Sequence, residues 1–254
     1  MPTKPPPHGT APNRWLTIAY GVVCYLLFIL SFVYAIGFVT GIGVPRTVDS
    51  GIEAPLGQAI LVNVVLLAAF AVQHSVMARP AFKRWWTRMV PESIERSTYV
   101  LLSSLLLGLL YWQWRTIEGT VWDIEWAPLR AVIWTVAALG WLTVLGSTFM
   151  INHFELFGLQ QVFAVWRGKP ADTGFRTTML YHVVRHPLLL GFLVAFWAAP
   201  TMTAGHLLFT LGTTAYILIA IRFEEHDLVS VFGDTYREYR RHVPMLFPHP
   251  GHRA

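Results

Sequence analysis

Four stretches of this chain run through apolar side chains without one Asp, Glu, Lys or Arg: residues 15–38, 56–78, 98–114 and 131–151. A helix needs roughly 20 apolar residues to cross a hydrocarbon core of about 30 Å. Three of the stretches reach that length, and 98–114 lies near the lower limit. Backbone polar groups in lipid must be satisfied within their own segment, so the pattern predicts helices rather than strands. A fifth uncharged run, from Pro187 to Ile221, is 35 residues long and is interrupted by Ala198-Ala199-Pro200-Thr201. Its first limb, Leu188 to Ala199, makes only about 18 Å of helix, too short to cross alone. The run therefore predicts a broken or re-entrant helical hairpin that returns through residues 203–221. Such a break is tolerated where the backbone is buried in protein or lines a cavity.

The intervening segments divide into two kinds. Residues 39–55 and 115–126 are charge-poor loops, whereas 80–97 is basic and holds Phe82, Trp85 and Trp86, which suggests a short helix lying on a membrane surface. After the fourth span, Phe154, Phe157, Gln161 and Val165 recur near a helical period and predict one amphipathic interfacial helix. Residues 1–14 read as a Pro- and Gly-rich tail. The expected organisation is this tail, a four-span bundle over 15–151, and a segment 152–254 carrying the interfacial helix, the hairpin and a C-terminal stretch.

Composition narrows the class. At 54% hydrophobic and 13% charged residues, a soluble globular chain is excluded and an all-α integral membrane protein is expected. The first apolar run is too long for a signal-peptide core and has no small-residue cleavage site after it. The one cysteine, Cys24, lies inside that run, so no internal disulfide forms. Of the 19 Lys and Arg residues, only Arg46, Arg115 and Arg130 fall on one side of the spans. By the positive-inside rule, both termini and both polar ends of the hairpin face the cytoplasm, as expected for a multi-pass protein of the inner (plasma) membrane. The net charge of +5 thus reports topology, not affinity for nucleic acid. Trp15, Trp85, Trp86, Trp112, Trp114, Trp122 and Trp126 mark the span ends, as an interfacial belt does.

Ionisable residues flank the hairpin on both sides. Tyr181, His182, Arg185 and His186 precede Pro187, and Arg222, Glu224 and Glu225 follow Ile221. An Arg captures a carboxylate bidentately. A carboxylate accepts from ribose hydroxyls or an amino group. Those are the handles of S-adenosylmethionine. The plainer reading, snorkelling interfacial ion pairs, accounts for each residue singly but less well for their joint placement. His182 and His186 stand at i, i+4, yet no HExxH pattern surrounds them and Arg185 disfavours a cation, so no metal is expected. An axial pair of His74 and His206 for a haem is disfavoured because His206 lies near the opposite end of its limb. His74, preceded by Gln73 near the end of the second run, is either a packed core histidine or the group that orients or deprotonates a thiol. Asn152 and Glu155, at i, i+3, either line the substrate cavity or cap a helix.

The set Arg185-His186-Pro187-x-x-x-Gly191, Glu224-Glu225-x-x-Leu228, Phe232-Gly233-x-x-Tyr236-x-x-Tyr239 and Val243-Pro244 resembles the membrane methyltransferases of the isoprenylcysteine carboxyl methyltransferase type. More of the chain resembles one branch, the methanethiol S-methyltransferases related to NnrU-like membrane proteins. Those matches are Gln73 to Pro80, Asn152 to Gly158 and Trp197 to Thr203. The resemblance implies S-adenosylmethionine held by Tyr181, His182, Arg185, His186, Pro187, Gly191, Glu224 and Glu225, and methylation of a small thiol to a product such as dimethyl sulfide. Leu189 stands where that family usually has Tyr, which removes one hydroxyl contact. Two rival readings stay open at this point: methylation of a larger lipidic thiol or amine, and a non-catalytic NnrU-like membrane protein.

Overall fold

The structure is a computed structural model that describes residues 13–167 and 178–247; the N-terminal tail read from residues 1–14 lies almost wholly outside them. Helix α1 (Arg14–Thr40) is started by the Asn13 side chain, which accepts a hydrogen bond from Trp15 N at 3.1 Å. It is followed by α2 (Leu56–Ala78), the short α3 (Pro80–Trp86), α4 (Glu92–Gln113), strand β1 (Thr120–Asp123) and α5 (Ala127–Ile151). Next come α6 (His153–Leu156), α7 (Leu159–Arg167), a 3₁₀ turn (Met179–His182) and α8 (Pro187–Trp197). Strand β2 (Thr201–Thr203), α9 (Ala204–Phe232) and α10 (Asp234–His242) complete the described chain. Five helices, α1, α2, α4, α5 and α9, are long and apolar enough to cross a membrane.

Three boundaries depart from the sequence pattern. Helix α4 begins at Glu92, six residues before the uncharged run, because a helix does not stop where a membrane does and Glu92–Arg96 continue it. The expected single interfacial helix is two helices, broken at Phe157–Gly158. Gly158 adopts φ 87°, and a Cβ there would fall 2.7 Å from Ser97 N. The tight approach of this turn to α4 demands glycine and ends the helix. The hairpin breaks where expected, after Trp197. Residues 198–203 run extended, and β2 pairs antiparallel with β1 (Trp122 opposite Met202). The returning limb, α9, continues past Ile221 to Phe232, so Glu224 and Glu225 lie on the helix itself.

Buried non-helical backbone needs partners, and it has them. Trp122 Nε1 donates to Ala199 O at 3.0 Å, and Ile124 N to Pro200 O at 3.0 Å. Phe196 O accepts from His206 Nε2 at 3.1 Å and from Thr210 Oγ1 at 3.2 Å. A cavity of about 190 Å³, lined by Asp49, Arg130, Thr201 and His206 among others, runs beside the same segment. Irregular backbone removed from water requires such partners.

Helix α8 lies along α5, α1 along α4, and α2 against α4 and α9. The α5–α8 contact is backbone on backbone. A Cβ on Gly191 would sit 2.8 Å from Gly140 O, and one on Gly140 2.7 Å from Ala195 N, the small-residue packing that membrane helices use. Below the β1–β2 ribbon, Phe38, Trp114, Trp141, Phe196 and Phe209 form the main core. A second core of Met77, Tyr99 and Val100, flanked by Phe28, Phe82 and Phe157, lies at the other end.

Candidate functional site

The two polar ends of the hairpin meet. Arg185 Nε donates to Glu225 Oε1 at 2.7 Å, and His186 Nε2 lies 3.1 Å from the same oxygen. His186 Nδ1 is 3.5 Å from Glu224, and Arg240 on α10 is 3.7 Å from Glu225 Oε2. The Arg185 and Glu225 side chains are 11% and 9% exposed, whereas Glu224 is half exposed. Charges at that burial persist only when paired. Arg185 also holds the C-terminal segment. Its Nη1 donates to Arg240 O at 3.0 Å and Val243 O at 2.6 Å, and its backbone N to Pro244 O at 2.9 Å. Tyr239 donates to Tyr181 O at 2.6 Å. Burial, with Glu225 adding to it and the Arg185 charge opposing it, pushes the Tyr239 hydroxyl up to about 12. It therefore stays a donor at neutral pH. Burial and the nearby Glu224 raise the Tyr181 hydroxyl as well.

His74 stands at the same end, near the last turn of α2. Tyr99 on α4 brings its hydroxyl to 2.9 Å from Nε2 and 3.0 Å from Nδ1, and Ser103 Oγ is 3.2 Å from Nδ1. Ser103 can give its own proton to Tyr99 O at 3.0 Å, which leaves its lone pairs for an Nδ1–H. Ser103 also reaches Gln73 Oε1 at 3.2 Å. Phe70 stacks on the imidazole at 5.1 Å, and Tyr216 meets it edge-on at 6.5 Å. The Tyr99 hydroxyl is within electrostatic reach of Arg96, Tyr216, Arg79 and Glu224. Arg79 pairs with Asp227 on α9 at 2.8 Å and lies over the Phe223 ring at 5.7 Å. The end of α2 is thereby tied to the helix that carries Glu224 and Glu225.

Asn152 and Glu155 come together, but through capping. Asn152 Oδ1 accepts from Glu155 N at 3.3 Å, and Nδ2 donates to Glu155 Oε2 at 3.0 Å and Gln160 Oε1 at 2.5 Å. Beside them His153, 3% exposed, joins Tyr25 at 2.7 Å and Thr148 at 2.8 Å. Burial holds its imidazole below the ordinary histidine value. The Asn152–Gly158 motif thus builds a turn, which Arg96 fastens to α4 by donating from Nε to Leu156 O at 2.7 Å.

Of the residues picked from the sequence, Arg185, His186, Glu224, Glu225 and Tyr181 share one neighbourhood. Pro187 starts α8 and is buried, and Gly191 occupies the α5–α8 contact. His182 is exposed. Leu189 packs against the Leu193–Ile217–Ile221–Leu246 cluster. Sequence reasoning passed over Tyr99, Ser103, Tyr216 and Arg96. The spacing of Arg96, Tyr99 and Ser103 at three and four residues, a polar stripe on one helix face, was the available signal.

The groups gathered at this end with the chemistry for a carboxylate, an amine or hydroxyls are the cations Arg79, Arg96, Arg185 and Arg240 and the half-exposed Glu224, with the rings of Tyr99, Tyr216 and Phe223 beside them.

Comparison with known proteins gives a consistent picture. The family described as NnrU protein matches residues 62–245. A methanethiol S-methyltransferase of Mycobacterium tuberculosis is 63% identical over 94% of this chain and 98% of its own length. One from Pseudomonas deceptionensis is 49% identical over 98% of this chain and 96% of its own. Nurim of Bos taurus is 31% identical over 76% of this chain and 78% of its own length. No solved structure matches.

Proposed function

We propose, because this chain belongs to the NnrU family and within it to the methanethiol S-methyltransferases, that it transfers a methyl group from S-adenosylmethionine to methanethiol, releasing dimethyl sulfide. The observation that carries the reading is the closure of the hairpin ends, Arg185–His186 on Glu224–Glu225, at the same end of the bundle as the His74–Tyr99–Ser103 cluster. The bound sulfonium supplies an electrophilic methyl group and leaves as the neutral thioether. Three tasks remain for the chain. Its guanidiniums and Glu224 hold the polar ends of the cofactor. Phe70, Tyr99 and Tyr216 exclude water from around His74, which favours a reaction in which charge is consumed. His74 takes the thiol proton, since the thiolate is the nucleophile. The balance is one S–H and one S–CH₃ bond broken, one new S–CH₃ bond formed and one proton given to the imidazole.

A small apolar thiol partitions into the bilayer and reaches His74 sideways, while the soluble cofactor enters from the aqueous side. We place that side in the cytoplasm and the protein in the plasma membrane with both termini inside, on the strength of the basic residues gathered at the site end. Cysteines introduced at Asp49 or Glu118 should react with a reagent added outside intact cells, and those at Arg88 or Asp234 should not; the reverse pattern overturns the orientation. The chain's own Cys24 is buried and adds no background.

For the reaction itself, membranes holding the protein are given labelled S-adenosylmethionine and a panel of thiols. Labelled dimethyl sulfide from methanethiol is expected. Transfer only to a prenylated thiol overturns the acceptor, and transfer to none overturns the methyltransferase reading.

A further inference from the structure

The cation that the hairpin motif offers a carboxylate is largely spent. Arg185 uses Nε on Glu225 and Nη1 on two backbone carbonyls. Arg79 uses Nε on Ser75 O and Nη1 on Asp227. Arg240 reaches toward Glu225. Arg96 differs. Its Nε is anchored on Leu156 O, and its guanidinium lies 4.9 Å over the Tyr99 ring. Among the described residues, its Nη1 and Nη2 make no hydrogen bond or ion pair. The group is partly buried and locked at two points, so binding an anion would cost it little further order.

Arg79 and Lys83 lie within electrostatic reach, and the acidic neighbours are Glu95 and Glu224, with Asp227 already paired to Arg79. Burial, together with the charges of Arg96 and Arg79, pushes the Lys83 ammonium below its ordinary value, with Glu95 only partly offsetting them. Arg79 has Asp227 for a partner, whereas Arg96 has no carboxylate paired with it among the described residues. A planar fork with both terminal nitrogens available is the geometry that takes a carboxylate bidentately.

We propose that Arg96, rather than Arg185, is the residue that binds the carboxylate of the methyl donor, with its amino-acid tail laid across the face of Tyr99 toward His74. The inference rests on the methyl-transfer reading. Two methylenes separate the sulfonium from the α-carbon of the donor, so a carboxylate at Arg96 sends the sulfonium along the Tyr99 ring to the imidazole that its hydroxyl touches. Arg185 is then the clasp that closes the hairpin and holds the C-terminal segment.

The test compares S-adenosylmethionine with decarboxylated S-adenosylmethionine, which keeps the sulfonium and nucleoside but has no carboxylate. Binding of both is measured on the purified full chain in lipid nanodiscs. Wild type should prefer the intact donor. Arg96→Ala should weaken it by on the order of tenfold to a hundredfold, the range of a charged hydrogen bond, and leave the decarboxylated form unchanged. Arg96→Gln keeps a donor for Leu156 O and should lose the preference equally. Equal losses for both ligands make Arg96 only a fastener of the Asn152–Gly158 turn and overturn the inference, as does full retention of the preference in either variant. A wild type that binds neither compound instead brings down the cofactor reading itself.

Discussion

The two ends of this bundle are held together by different chemistry. At the far end, loops 41–55 and 114–126 and the extended segment 198–203 are knitted mainly by backbone groups and neutral donors. Ile52 N donates to Trp114 O at 2.9 Å, Thr116 N to Ile52 O at 3.1 Å and Ala204 N to Gly119 O at 2.8 Å. Asn63 Nδ2 donates to Arg115 O and Asn63 Oδ1 accepts from Arg115 N, each at 2.8 Å. At the site end ionised side chains join the backbone links: Arg185 with Glu225, Arg79 with Asp227, Arg96 on Leu156 O. Backbone pairs are fixed by the chain's path and cannot exchange partners. Side-chain ion pairs can admit a charged ligand as an additional member. The difference teaches that the far end is a closed cap and the site end an arrangement with donors to spare.

The contrast is broken most severely at Glu225. Glu225→Ala leaves Arg185 and His186 facing a void at a buried position, and removing one partner of such a pair costs about 3–5 kcal/mol. The midpoint of denaturant unfolding in detergent should fall accordingly, and cofactor binding should fall with it. The double variant Arg185→Met with Glu225→Leu lacks the clasp on Arg240 O and Val243 O but leaves no buried charge unpaired, and should recover part of the stability and of the binding with it. Binding that stays lost while stability returns would put this pair in contact with the cofactor and not only in the clasp.

His74→Ala is the next largest and separates chemistry from scaffolding. Turnover of methanethiol at neutral pH should drop by roughly 10²–10⁴-fold, the usual worth of general-base help, with donor affinity little changed. The deficit should shrink as pH rises, because a growing share of methanethiol is already thiolate. Wild-type turnover in the variant would make His74 a packing residue whose bonds to Tyr99 and Ser103 serve only α2 and α4.

How much of this was legible beforehand follows the same divide. Long charge-free runs are strongly constrained by lipid, so four of the five long helices and the break after Trp197 could be read from the pattern. The β1–β2 ribbon could not, since strands of four and three residues exist only by pairing with each other across some 80 positions. Arg185, Glu224 and Glu225 were visible as a motif, but Arg185's backbone partners near residues 240–245 were not, because a tertiary clasp leaves no local signature. Asn152 and Glu155 share a face, as i, i+3 spacing requires, and that spacing cannot tell a cavity wall from a cap. Tyr99 and Ser103 were hidden inside a run that reads simply as span. Arg96 counted there as one more basic residue flanking it.

At the far end the largest effect expected is smaller. Asn63→Ala strands the N–H and C=O of Arg115, and unsatisfied buried groups cost about 1–3 kcal/mol each at most. Thermal unfolding in detergent should shift down while the ratio of kcat to KM per folded molecule stays at the wild-type value. A loss of activity larger than the loss of folded protein would show that the cap is coupled to the site.

The smallest effect belongs to Asp123, exposed on β1. The Thr201 hydroxyl, bonded to it at 2.7 Å, outweighs an opposing effect of desolvation and, with Arg130 at 3.0 Å, holds its carboxyl below the ordinary 3.8. A carboxylate whose pKa is lower in the folded state contributes stability that is complete above the unfolded value. That contribution is lost as pH falls below 3.8 through the depressed pKa. Asp123→Asn should therefore lower the unfolding temperature slightly at pH 7, and the gap to wild type should close in the acid range, where the wild-type carboxyl is protonated too. Because the pair is exposed, added salt should also narrow the gap at pH 7. A gap that is constant from pH 7 down through 3 would mean that the side-chain shape, not its charge, joins β1 to β2, and the far end would then owe nothing to electrostatics.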